Sequence, residues 1–320
     1  MKILVTPTSF RKSENDEARL KLEAFADTVI YNTLGRPLQA DEIERYAEGI
    51  DGYIAGLDYI SSDAIERFPV SLKVISRYGA GVDRVDRQAL AKKEIVLTNT
   101  PGTNAVSVCE LAFGMMLAAA RHIPALDRAV RNSEWPRSQG IELQGKTLGI
   151  VGLGAIGKQL ALRAAVFGMR ILAYDPYLDQ RFIKQHAFSG GSKEQDLDRL
   201  LHESDFISLH VPLMDKTRHM IDAAALKKMK DGAVLINTAR GGLIDEDVAA
   251  AALDSGKLAA LCLDAFEEEP PKNNLLTRFD NVIMTPHTGA HTKEAVAGMG
   301  MMAVDNLIAV IRGEYCDNIL

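Results

Sequence analysis

Residues 147–157 read Thr147-Leu148-Gly149-Ile150-Val151-Gly152-Leu153-Gly154-Ala155-Ile156-Gly157. A β-rich run leads straight into a GxGxxG turn, and a helical pattern continues from there to Phe167. A glycine-rich turn alone says little. One that ends a strand and opens a helix is the fingerprint of a dinucleotide-binding βαβ unit. Gly152 permits the tight turn, Gly154 lets the backbone approach a diphosphate, and Gly157 lets helix and strand pack closely. Amides at the helix start, around Ala155 and Ile156, then face the negative charge. The next strand, 170–174, ends at Asp175, 18 residues past Gly157. A carboxylate there accepts hydrogen bonds from both ribose hydroxyls and repels a 2′-phosphate, which favours NAD over NADP. Arg181 is the nearest basic side chain downstream. The bland alternative is a βα turn with a helix-capping aspartate.

Downstream, βα alternation continues with strands expected at 206–209, 233–237, 260–263 and 282–284. Three of them run into polar residues: Arg240 in Asn237-Thr238-Ala239-Arg240-Gly241-Gly242, Glu269 in Asp264-Ala265-Phe266-Glu267-Glu268-Glu269-Pro270, and His287 in Thr285-Pro286-His287-Thr288-Gly289-Ala290. In open α/β sheets that is the end where ligands bind. The trio suits redox chemistry on a 2-oxo acid. An arginine fork binds a carboxylate through two bonds and polarises the adjacent carbonyl. A histidine protonates the oxygen as hydride reaches carbon, then reverses that role. A carboxylate bonded to that histidine fixes its tautomer and favours its charged form. Each also has an ordinary reading: Arg240 capping a strand, Glu269 ending a solvated acidic run, His287 capping a turn.

Upstream, the first hundred residues alternate in the same way. Strands are expected at 2–6, 28–31, 52–55, 73–76 and 95–98, with helices such as 40–48 and 86–92 between them. The rhythm breaks at Asn99-Thr100-Pro101-Gly102. An apolar helix at 104–122 follows, apolar on so many faces that it must be buried on most of them. A polar stretch, 131–145, holds the only tryptophan, Trp135. A last helix at 292–312 ends at Gly313, a helix-terminating signal; the pattern does not say where it docks. The expected fold is α/β with two open, doubly wound parallel-sheet domains. One is a flavodoxin-like substrate domain at 1–98 plus 291–320, the other a Rossmann NAD-binding domain at 99–290. The ligand is expected in the cleft between them.

Bulk properties agree with this. A chain of 320 residues with 47% apolar and 25% charged residues has the balance of an ordinary globular protein. A net charge of −6 and a pI near 5.7 argue against nucleic acid or an anionic membrane as partner. The N-terminus has too short an apolar run for a signal peptide, and 111–120 is too short to cross a bilayer. Cys109, Cys262 and Cys316 form neither a metal-like cluster nor an even disulfide set. The expectation is a cytoplasmic protein with no metal.

With these residues in view, the chain resembles the D-isomer-specific 2-hydroxyacid dehydrogenases over nearly its whole length. The resemblance is carried by VGLGAIG, HVPL at 210–213, INTARGGLIDE at 236–246, LDAFEEEP at 263–270 and TPHTGAHTKEA at 285–295. It implies that Arg240 orients substrate, that Glu269 partners the histidine and that His287 is the acid–base. It implies further NAD contacts from His210, Pro212, Thr217, Thr238, Ala239, Asp264 and Gly289, and a homodimer. Formate dehydrogenases of the same superfamily place glutamine where Glu269 stands. His291 departs from the small residue usual in the family.

The implied substrate is a small anionic 2-hydroxy or 2-oxo acid. Ser76-Arg77-Tyr78-Gly79-Ala80-Gly81-Val82-Asp83 resembles the substrate loop of the 3-phosphoglycerate enzymes, with Arg77, Ala80 and Gly81 at the site. Asn104 falls in another segment that the family uses there. Glu134-Trp135-Pro136-Arg137 resembles a stretch that carries a phosphate-binding arginine, in some relatives across a subunit boundary. Arg77 and Arg137 would then meet a second anion, and 3-phosphoglycerate with 3-phosphohydroxypyruvate is the implied pair. Against this, Ala55-Gly56-Leu57-Asp58 lacks an arginine found in some relatives, and no serine-sensing domain precedes Leu320. Hydroxypyruvate, glyoxylate, or another three-carbon acid bearing phosphate or sulfonate stay open. So does an NAD-sensing scaffold without catalysis.

Overall fold

The computed structural model describes residues 1–10, 16–186, 196–272 and 275–320. It divides into two compact units, 1–104 with 290–320, and 105–289. In chain order the first unit opens with β1 (Lys2–Val5), α1 (Glu17–Phe25), β2 (Thr28–Tyr31), α2 (Ala40–Tyr46) and β3 (Gly52–Ala55). It continues with α3 (Ser62–Glu66), β4 (Val74–Arg77), α4 (Arg87–Lys92) and β5 (Val96–Thr98). The second unit holds α5 (Ala105–Ala120), α6 (Ile123–Arg131), β6 (Thr147–Val151), α7 (Ala155–Val166), β7 (Arg170–Tyr174) and α8 (Gln180–Gln185). Next come α9 (Leu197–Glu203), β8 (Phe206–Leu209), α10 (Ala223–Lys228) and β9 (Ala233–Asn237). It ends with α11 (Glu246–Asp254), β10 (Leu258–Leu263) and β11 (Val282–Met284), and α12 (Lys293–Arg312) returns to the first unit.

Both sheets are parallel throughout. The first runs β2-β1-β3-β4-β5, the flavodoxin-like order, and the second β11-β10-β9-β8-β6-β7. The second reverses direction between β6 and β8, so the crevice beyond Val151 and Leu209 is its topological switch point. Among the described residues it lacks the outermost strand of the 3-2-1-4-5-6 arrangement.

Two-fold alternation within the strands explains the double winding. In β9, Leu235 faces a cluster with α9, α10 and α11, while Val234 and Ile236 face α5 and α7. In the first sheet Leu4, Tyr53 and Ile75 face one side, and Ile3, Ile54 and Val74 face the other with α12. A strand buried on both faces is mostly apolar, which is why these read as near-continuous apolar runs, with polar residues such as Ser76 and Asn237 hydrogen-bonded at or near their ends. Helix α12 has the length and composition of a membrane span. Its Ala303, Val304 and Leu307 are wholly buried, packed on the first sheet, and its Ala303 carbonyl accepts from Ser76 Oγ at 2.9 Å.

The apolar helix expected at 104–122 is α5, and a second helix that the sequence reading did not assign follows it directly. α5 stops at Ala120, His122 takes a left-handed conformation (φ 53°), and α6 leaves at 63°. Pro124 explains the restart: it has no N–H to give to a continuing helix and suits the first turn of a new one. Residues 132–146 form neither helix nor strand, as their polar composition suggests.

Candidate active site

The phosphate loop takes its shape from its glycines. Gly152 has φ +97°, and a Cβ there would lie 2.5 Å from the His210 carbonyl oxygen. At Gly157 a Cβ would stand 2.1 Å from the Gly152 oxygen, so helix and turn could not pack. Gly154, at the start of α7, faces open space within 4 Å, which leaves the backbone accessible to a diphosphate. Asp175 closes the loop from the next strand. Its Oδ2 accepts from the Leu153 N–H at 2.8 Å and its Oδ1 from the Tyr177 N–H at 2.7 Å. Each carboxylate oxygen keeps a second lone pair for a ribose hydroxyl.

Two further polar atoms at this edge suit a bound nucleotide. His210 Nδ1 and Thr238 Oγ1, just past β8 and β9, are buried without a hydrogen-bond partner, a costly state for atoms that no ligand ever meets. Thr217 turns its hydroxyl to the Pro212 carbonyl at 2.7 Å and receives the Met214 N–H at 2.8 Å. It therefore shapes the loop after His210. His210 Nε2 lies 2.9 Å from Ser208 Oγ, and burial pushes its pKa down to about 4. His210 as a residue is partly exposed, but Nδ1 itself is shielded.

The depressed pKa makes a prediction. Between about pH 4 and 6.5 the unfolded chain binds a proton at this residue that the folded chain does not. Stability present above that window is lost as pH falls through it, by about 3 kcal/mol. Urea unfolding of His210→Gln across this range should show a flatter pH dependence than the parent. An identical slope would contradict the burial of a neutral ring.

The chemical residues sit at the ends of three neighbouring strands. At the end of β9, wholly buried Asn237 receives the Ala239 N–H on Oδ1 at 3.0 Å and donates Nδ2 to the Arg240 carbonyl at 2.7 Å. The loop therefore folds tightly and holds Arg240 on its rim, with Nη1 bonded to the Ala239 carbonyl at 2.7 Å. A Cβ on Gly241 would fall 1.9 Å from the Phe266 carbonyl carbon. The Arg240 loop thus rests directly on the loop carrying Glu269.

Past β10, buried Asp264 accepts from Thr285 Oγ1 at 2.5 Å, the Thr288 N–H at 2.8 Å and the Gly289 N–H at 2.7 Å. Ser107 Oγ donates to the Gly289 carbonyl at 2.6 Å. Asp264 and Gly289, both expected at the NAD site, thus shape the turn that presents His287. That turn holds His287 at φ +51°, an unfavourable backbone for a non-glycine residue and of a kind that collects at functional sites. His287 Nδ1 lies 2.8 Å from Glu269 Oε1, which also accepts from the Phe266 N–H at 3.3 Å. A carboxylate only accepts, so Nδ1 carries the proton and Nε2 is the working nitrogen.

The residues assigned to substrate are less concentrated. Arg77 is 5% exposed, and its Nη1 donates to the carbonyls of Ala55 and Tyr78. Its guanidinium braces the turn and is not an open fork for a second anion, which corrects the expectation. Gly79 gives its N–H to Thr100 Oγ1 at 2.9 Å, and the exposed Ala80 gives its carbonyl to Asn99 Nδ2 at 2.8 Å. Gly81 and Asn104 are half-buried in the same unit. Arg137 and His291 are exposed. Asp58 is buried and occupied, accepting from Thr6 Oγ1, Tyr53 Oη at 3.0 Å, and the N–H groups of Gly56 at 3.1 Å and Leu38 at 2.7 Å. No group of metal-ligating side chains is present among the described residues.

Residues 113–289 match the family model for the NAD-binding domain of the D-isomer specific 2-hydroxyacid dehydrogenases. The chain belongs to this family. Among its relatives in the family is a D-3-phosphoglycerate dehydrogenase of Methanocaldococcus jannaschii, 46% identical over 82% of this chain but only 49% of that protein. The chain thus spans about half the length of that relative. A glyoxylate reductase of Thermococcus litoralis is 40% identical over 93% of this chain and 92% of its own length. Among solved structures, a D-lactate dehydrogenase of Aquifex aeolicus, complexed with NAD and lactic acid, superposes with a TM-score of 0.87 at 29% identity, over 99% of this chain and 98% of that one. NAD is accordingly the cofactor of this dehydrogenase family member.

Sequence reasoning missed the supporting polar residues, namely Asn237, Thr285, Thr288 and Ser107. The available signal was polar side chains at the ends of apolar strands or inside an apolar helix, where burial demands a hydrogen-bond partner.

Proposed function

We propose that this protein reduces a small 2-oxo acid to the D-2-hydroxy acid, reversibly, with Arg240, Glu269 and His287 as its chemical residues. The reading is carried by the His287–Glu269 contact, on strand ends next to the Arg240 loop. Bound NAD supplies or accepts the hydride, held by the 152–157 loop, Asp175 and the edge near His210 and Thr238. In reduction, His287 Nε2 gives its proton to the oxygen at C2, and Nδ1–H stays on Glu269, whose charge offsets that of the imidazole. In oxidation Nε2 takes the proton back. The Arg240 fork receives the substrate carboxylate through two bonds and sets the carbonyl's orientation.

For the acid itself we favour a compact one, glyoxylate or hydroxypyruvate, because Arg77 is spent on main-chain carbonyls. The second reading, 3-phosphohydroxypyruvate, is favoured by the identity to the phosphoglycerate enzyme and would rest on Arg137. A homodimer fits this reading, supported by α6, which buries none of its residues within the chain. NADH oxidation with glyoxylate, hydroxypyruvate, pyruvate and 3-phosphohydroxypyruvate tests the choice. A preference for the phosphorylated acid, lost in Arg137→Ala but retained on glyoxylate, would overturn the compact-acid reading.

Asp175 makes a cofactor prediction. Asp175→Ala should raise the KM for NAD roughly ten- to a hundredfold, since one charge-assisted bond is worth about 1.5–3 kcal/mol. It also releases the Leu153 N–H, so NADP use should improve relative to NAD without becoming efficient. The check is the NAD-to-NADP ratio of kcat/KM, and an unchanged ratio would remove Asp175 from the ribose.

A further inference from the structure

His219 lies outside every role assigned above, yet it touches both loops that carry the chemistry. It is one of five non-glycine residues among those described with positive φ, at +48°, and another of the five is His287. Such a backbone persists only where its surroundings impose it. Its N–H donates to the Gly242 carbonyl at 2.8 Å, two residues past Arg240. Its ring Nε2 contacts Glu267 Oε1, two residues before Glu269. Glu267 in turn donates its N–H to Glu246 Oε1 at 2.9 Å. The main chain alone already ties 219–221 to 242–245, through Ile221 N–H to the Leu243 carbonyl and Asp245 N–H to the Ile221 carbonyl, each 3.1 Å. What the imidazole adds is a link to the Glu267 side chain, beside the bond that the Glu267 N–H already makes to Glu246.

Both side chains of the pair are 40% exposed, and exposed ion pairs contribute little to stability. A contact of that kind matters through position. Gly241 presses on the backbone at Phe266 and Glu267, so a small slide of one loop changes the offset between Arg240 and Glu269.

We propose that His219 is a positioning residue: by holding Glu267 it sets the distance between the Arg240 fork and the His287–Glu269 pair. The inference rests on the function proposed above. Chemistry that needs a fork on the carboxylate and a proton donor at C2–O together is sensitive to displacements of about 1 Å.

His219→Gly is the decisive variant, because glycine adopts positive φ without strain and removes only the ring. We expect kcat on the best 2-oxo acid to fall roughly ten- to a hundredfold, with the KM for NADH and the Tm unchanged. Glu267→Ala should behave alike, the double variant should be no worse than either single one, and Glu267→Gln should retain most of the rate through a neutral hydrogen bond. An unchanged kcat in His219→Gly, additive losses in the double variant, or a fall in Tm and NADH affinity parallel to kcat would overturn the proposal. A second readout separates it from the parent reading: the His287 ring resonances in NMR spectra should shift in His219→Gly. If the wild type reduces no 2-oxo acid, the proposed function fails, and unchanged His287 resonances would refute the positioning role independently.

Discussion

His287→Ala is expected to lower kcat by about two to four orders of magnitude, the usual worth of a positioned general acid, while NADH affinity stays nearly constant. The separation follows from where the ring sits. Nδ1 is committed to Glu269 at 2.8 Å, so Nε2 is the nitrogen left to act on substrate. The phosphate loop and Asp175 lie on β6 and β7, while His287 follows β11 at the opposite edge of the sheet. Glu269→Gln should cost less than loss of the ring. A glutamine still reaches Nδ1, but its amide can donate as well as accept, so it no longer enforces the tautomer and carries no charge to offset the imidazolium. Steady-state rates in both directions check this. A His287→Ala enzyme within tenfold of wild type would place the acid elsewhere.

Arg240→Lys should lower kcat/KM by about 2–5 kcal/mol, or roughly thirty- to five-thousandfold, if the carboxylate pair is desolvated. A lysine carries the charge but only as a point, whereas the guanidinium offers two parallel donors at fixed spacing. Arg240 is also held by its loop: Asn237 pins its carbonyl, and Nη1 is anchored on Ala239. The substituted side chain would lose that anchor together with the fork. Measured on glyoxylate and hydroxypyruvate, a change under tenfold would remove Arg240 from contact with substrate.

Much of this was legible in the sequence, for a physical reason. Parallel strands covered on both faces are near-continuous apolar runs, so their ends show up where polar residues gather. Asn237, Asp264 and Thr285 mark such ends, and ligands gather there in open sheets. The glycines at 152 and 157 are equally direct, since any Cβ there would collide with backbone. What was not legible depended on side-chain direction and on contacts between distant segments. Arg77 has the composition of an anion site, but a rotamer turned toward Ala55 and Tyr78 makes it a brace. The hold of Asp264 on the His287 turn was not legible either, because it arises only when the packing of β10 beside β11 brings Thr288 and Gly289 onto its oxygens. The end of the apolar helix near His122 was legible, whereas α6 was not assigned; the left-handed His122 separates it from α5 and Pro124 stands in its first turn.

The most direct test of the account is the oxidation of separate D and L enantiomers of glycerate and lactate with NAD, followed by nicotinamide absorbance in wild type and His287→Ala. The account predicts reduction of NAD with D enantiomers alone, and its near-complete loss in the variant. Oxidation of the L enantiomers at a comparable rate, no oxidation of either, or full activity without His287 would contradict it.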